Sequence, residues 1–125
     1  MSRAFGVLAL VLTLTGCARP PEPGTGRTSS DIITRAEIAS TSFDNAFDAV
    51  QRLRPLFLRA RTTATSRTAY PVVYVDGIRR GAPEVLRTIA ASTVAEIRYL
   101  SPAVASTRYG MNIVGGVIQV TTGRP

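Results

Sequence analysis

The stretch Pro71-Val72-Val73-Tyr74-Val75-Asp76-Gly77 constrains the fold more than any other part of the chain. Four β-formers follow a proline and stop at Asp-Gly, so the run is too short and too β-branched for a helix and closes in turn chemistry. Val72, Val73 and Val75 leave no polar face, which predicts an interior strand, central in its sheet and covered on both sides. Asp76-Gly77 with Ile78-Arg79-Arg80-Gly81 then reads as a turn or short hairpin. An interior strand needs a neighbour on each edge, and the flanking sequence must supply them.

Upstream, Thr34-Arg35-Ala36-Glu37 has the spacing of a capping box and predicts a brief helix after Ile32-Ile33. Phe43, Ala46, Phe47, Val50 and Leu53 recur at three- and four-residue steps, the apolar stripe of a second helix. Asp44 is its expected N-terminal cap or first-turn acid, Asp48 and Arg52 stand at i,i+4, and Pro55 stops it. Leu56-Phe57-Leu58 reads as a strand, and the Arg, Thr, Ala and Ser of 59–67 as a loop. Downstream, Pro83 to Ala91 reads as a short helix with Val85, Leu86 and Ile89 inward. Ala95 to Leu100 alternates Ile97 and Tyr99 against Glu96 and Arg98, a strand with one wet face. Ser101 to Thr107 holds a helical turn ended at Tyr109-Gly110, and Gly115-Gly116 introduces a last strand to Thr122. The fold class is α+β: a small mixed β-sheet with short flanking helices over residues 31–122.

The amino terminus has a different character. Met1-Ser2-Arg3 carries positive charge and Ala4 to Thr15 is apolar, the layout of a secretory signal peptide over residues 1–16. The run is short of the ~20 residues that a membrane-spanning helix needs. Leu14-Thr15-Gly16-Cys17 closes it and resembles a bacterial lipobox. That resemblance implies cleavage between Gly16 and Cys17, thioether lipidation of Cys17 and acylation of the new amino terminus. Several acyl chains hold a protein firmly, because each buried methylene contributes about 0.8 kcal/mol. Ala18 stands where inner-membrane lipoproteins often carry Asp, so the resemblance implies the outer membrane, with the domain facing the periplasm. Residues 17–30, rich in Pro, Gly, Thr and Ser, read as a disordered tether. Gly24-Thr25-Gly26 within it lacks the preceding strand and third glycine of a phosphate loop.

Composition narrows the chemistry. The 125 residues carry a formal charge of +7, with no histidine, no tryptophan and a single cysteine. One domain fits that length. One cysteine excludes an intrachain disulfide and a cysteine-rich metal site, and so few aromatics leave little for a base-stacking platform. Asp76 is the acid most exposed to notice, but acid–base catalysis needs a carboxylate or histidine partner beside it, and none is close in sequence. It reads as a turn former. Arg52, Arg54, Arg59, Arg61 and Arg67 form the densest positive run, a solvated face or a contact for an anionic surface. No cofactor and no metal are called for, and nucleic acid is not an expected partner of an exported chain.

The order Val73-Tyr74-Val75-Asp76-Gly77, Val94-Ala95-Glu96-Ile97-Arg98-Tyr99-Leu100, Tyr109-Gly110 and Gly115-Gly116-Val117-Ile118-Gln119-Val120-Thr121-Thr122 resembles the plug domain of TonB-dependent outer-membrane receptors. The resemblance spans roughly residues 31 to 122 and implies a small mixed sheet with helices beside it, in which Asp76, Gly77, Gly110, Gly115 and Gly116 serve turns and fold. It does not extend to the receptors' barrel of about 22 strands, and the family's Lys-Gly-Pro is Ser101-Pro102-Ala103 here. Nutrient transport and siderophore binding are therefore not carried over. The expected function is a non-enzymatic, outer-membrane-anchored lipoprotein whose plug-like domain is a binding or structural module. The alternative is a periplasmic accessory subunit that pairs with a separately encoded outer-membrane β-barrel or transport complex.

Overall fold

Asp76 and Gly77 both take positive φ, 49° and 82°, the backbone of a two-residue type I′ hairpin turn. They fold β4 (Val72–Val75) back on β5 (Ile78–Gly81) as an antiparallel pair. The computed structural model describes residues 30–64 and 67–123; the expected signal segment, Gly16, Cys17 and the expected tether up to residue 29 lie outside the described residues. Within them the fold is α+β. Five strands form one mixed sheet in the order β1-β6-β7-β4-β5, where β1 is Ile32–Thr34, β6 Val94–Leu100 and β7 Val117–Thr122. β4 and β7 run parallel, with Val73 opposite Ile118 and Val75 opposite Val120, and the other pairs are antiparallel. The interior strand of the sequence is thus interior, although β7 holds the centre.

Side-chain alternation divides the core between the two faces of the sheet. Val73, Val75, Ile97, Ile118 and Val120 point to the larger side, where α1 (Arg35–Ala39), α2 (Ala46–Leu53) and three 3₁₀ segments cover them. Leu100 and Val117 point to the other, under α3 (Pro102–Tyr109) and Ile113. Both faces were expected to cover β4 fully. Instead Val72 and Tyr74 stay half-buried, because α3 covers only part of the second face, stacking Tyr109 on Tyr74 at 4.1 Å between ring centroids.

The capping box forms as its spacing predicts: Thr34 Oγ1 accepts the Glu37 N–H, and the Glu37 carboxylate accepts the Thr34 N–H at 2.8 Å. α2 buries Ala46, Ala49 and Val50, but its cap is Asn45, whose side chain accepts the Asp48 N–H at 3.0 Å, and not Asp44. Asp48 accordingly takes the Asn45 amide at 2.9 Å rather than Arg52. The expected strand Leu56-Phe57-Leu58 is a 3₁₀ turn, Pro55–Leu58. Pro55 presets helical φ at its first position, and only Phe57 is buried, so the run needs one inward residue and not an alternating face. Residues 59–67 are not wholly loop either: β2 (Arg61–Thr62) pairs with β3 (Thr68–Ala69) as a two-stranded ribbon. The expected helix over Pro83 to Ala91 is a 3₁₀ segment, Pro83–Thr88, with Leu86 fully buried and Val85 and Ile89 packed partly on the core.

Candidate functional site

The end of the sheet where β4 and β7 begin and β6 finishes carries most of the unusual chemistry. Tyr99, near the end of β6, is the hub. Its hydroxyl donates to the Gly115 carbonyl at 3.1 Å and accepts from Arg61 Nε at 3.0 Å, while its ring stacks on Phe57 at 5.3 Å. The Arg61 guanidinium also lies 5.6 Å from the centre of that ring, within the range of a cation–π contact. The Tyr99 N–H donates to the Asp31 carbonyl at 2.8 Å, so the chain entering from the amino terminus is held at the same end. Two glycines make this packing fit. A β-carbon at Gly115 would collide with the Tyr70 carbonyl, and one at Gly116 would fall 2.5 Å from the Tyr99 hydroxyl.

A groove of about 370 Å³ opens beside Tyr99, lined by Leu53, Pro55, Leu56, Phe57, Arg54 and Arg61 among others. A second, of about 360 Å³, shares Arg61 and Tyr99 and is bounded by Ile32, Arg98, Leu100 and Val104. The guanidinium of Arg61 therefore stands between two depressions, the first mainly apolar and the second mixed, with Asp31, Arg98 and Ser101 in its wall.

The five arginines of the positive run divide by role. Arg54 is a structural pin: it donates to the Ser30 and Leu53 carbonyls and pairs with Glu37 at 3.0 Å. Burial alone would raise the Glu37 pKa, but hydrogen bonds from the Thr34 N–H, the Arg54 guanidinium and the Thr34 hydroxyl, with the Arg54 charge, hold it below the ordinary carboxylate range. Arg52 opens onto a separate groove with Asp44 and Asp48. Arg59, Arg61 and Arg67 are exposed.

Asp76 lies at the opposite end. Its carboxylate accepts the Thr122 N–H at 2.9 Å and the Thr122 hydroxyl at 2.6 Å, and its own N–H donates to the Val120 carbonyl. The Thr122 hydroxyl and N–H lower its pKa. It is a turn residue that also clasps β7, a tie across 46 residues that no local spacing signals. Gly110 ends α3 at φ 93°. Among the described residues no three of His, Cys, Asp and Glu come together as metal ligands, and no helix is long and apolar enough to cross a membrane. No family model matches the chain, and no curated protein matches it.

Proposed function

We propose that this chain is a non-enzymatic lipoprotein, anchored in the outer membrane through Cys17, whose α+β domain is a plug-like binding or structural module. The observation that carries the proposal is the ordered signal segment closing at Leu14-Thr15-Gly16-Cys17, placed a short stretch before the domain's first strand at Ile32. Support for a binding rather than a catalytic module comes from how the acids are used. Asp76 is held by Thr122, Glu37 by Thr34 and Arg54, and Glu96 by Arg98 at 3.1 Å, whereas Arg59, Arg61 and Arg67 are exposed, Arg61 with its Nε on the Tyr99 hydroxyl. Support for the plug-like reading is the adjacency of β4, β7 and β6 in one sheet, with the Asp76-Gly77 turn and Gly110 at its joints.

Two measurements on the protein from its own envelope test this. Mass spectrometry should find the mature chain beginning at Cys17 with added lipid, and Cys17→Ser should abolish both. A chain beginning elsewhere with an unmodified thiol would refute the anchor. Affinity purification of the intact lipoprotein then separates a self-sufficient module from the accessory reading, in which an outer-membrane β-barrel copurifies in fixed ratio.

A further inference from the structure

The exposed apolar side chains of the domain are unevenly placed. Of six exposed large apolar side chains among the described residues, four sit at the Tyr99 end, Leu56, Tyr70, Val104 and Val114, at 64%, 59%, 53% and 46% exposure, while Ile78 lies on the far hairpin and Met111 in the turn after α3. Leu56 and Val104 line the two grooves that share Arg61, and Tyr70 and Val114 flank the Gly115 contact. Arg59 joins them, its N–H donating to the Leu56 carbonyl at 3.3 Å. Exposed apolar side chains gathered at one end and interleaved with polar groups suit an interaction site. Its combination with arginine and tyrosine is that of a face suited to the boundary between headgroups and acyl chains, where basic groups meet phosphate and apolar groups meet hydrocarbon.

The chain outside the described residues indicates which surface lies nearby. Ser30 and Asp31 enter at this same end, lining the Leu56 groove. Thirteen residue steps separate Cys17 from Ser30, a span of at most ~45 Å when fully extended. We infer that the Tyr99 end, through Leu56, Tyr70, Val104 and Val114 with Arg59 and Arg61, docks on the anionic surface of the membrane that holds the anchor. The inference rests on the lipidation of Cys17. Asp31 is the one acid lining either groove at this end, so the exposed arginines Arg59 and Arg61 leave the face net positive.

The test uses the mature lipidated chain inserted into phosphatidylcholine vesicles with and without phosphatidylglycerol. Because the Cys17 sulfur carries the anchor, Val114→Cys supplies a single free thiol for an environment-sensitive probe, and Ile78→Cys does the same beyond the Asp76-Gly77 turn at the far end. Brominated lipid should quench the Val114 probe and spare the Ile78 probe. Arg59→Gln should lower the docked-to-undocked ratio about fivefold, the effect of one basic residue near an anionic surface, and salt should act in the same direction. Equal quenching at both positions, or none at Val114 while the protein still floats with the vesicles, overturns the docking face and leaves the anchor standing. A chain that neither floats nor carries lipid overturns both. A Val114 signal that rises with protein concentration in detergent alone assigns the face to a second copy and also overturns it.

Discussion

The Tyr99 hydroxyl is shared between Gly115 and Arg61, donating to the first at 3.1 Å and accepting from the second at 3.0 Å. One side chain thereby joins β6, the approach to β7 and the two-stranded ribbon. Tyr99→Phe keeps the stack on Phe57 and removes both bonds, so it should cost about 1 kcal/mol in urea unfolding. In a double-mutant cycle with Arg61→Gln the two losses should be less than additive. Strict additivity would mean that the arginine does not act through the hydroxyl.

Two glycines should behave differently because one lacks space and the other lacks only a favourable φ. Gly115→Ala drives a methyl into the Tyr70 carbonyl and should cost more than about 2 kcal/mol. Gly77 has nothing within 4 Å of the added carbon but sits at φ 82°, so Gly77→Ala should cost roughly 1 kcal/mol. Thermal melts of the pair decide the ranking, and a reversed order would misplace the tight contact.

Asp76 and Glu37 both have pKa values below the ordinary carboxylate range in the folded protein. Their folded values lie under the unfolded ones of about 3.9 and 4.3, so their contribution is complete at neutral pH. It declines as the pH falls through the unfolded values and is gone below the folded ones. Asp76 is exposed, so its share is small. Asp76→Asn should lower neutral-pH stability only by that small share, flatten the acid limb of stability against pH by the same amount, and leave partner pull-down nearly unchanged. Loss of pull-down by a folded Asp76→Asn variant would point to a chemical role for this carboxylate.

Val75 is 8% exposed between β5 and β7. Val75→Asp places an unpaired charge in the core and should prevent folding. Arg59→Ala, on an exposed side chain, should move the melting midpoint hardly at all. Circular dichroism of both variants checks the placement of the core, and a harmless Val75→Asp would refute it.

What the sequence made legible was local. The Asp76-Gly77 turn, the Thr34 and Glu37 capping box and the α2 stripe each follow from residues within a few positions of one another. Pro55 to Leu58 misled because three apolar residues in a row carry no period, and a 3₁₀ turn and a buried strand look alike at that length. Asn45 displaced Asp44 because the cap depends on which residue leaves helical φ, a matter of one position. The side-chain bonds of Tyr99 and the Asp76 clasp join residues 16 to 46 apart and leave no spacing to find. The clustering of Leu56, Tyr70, Val104 and Val114 was equally hidden, since they lie on four different segments.

The strand at the middle of the sheet, β7, is the last of the described strands in chain order. Until Val117–Thr122 is available, β1 with β6 and β4 with β5 are two separate half-sheets, each with an unpaired edge facing the gap. Closing that gap requires Val72 to find Val117 in parallel register, a non-local pairing whose loop-closure cost must be met before its contacts stabilise anything. Assembly of this domain therefore waits on its carboxyl-terminal residues. A chain threading amino terminus first through a narrow pore would hold this sheet open until β7 emerged.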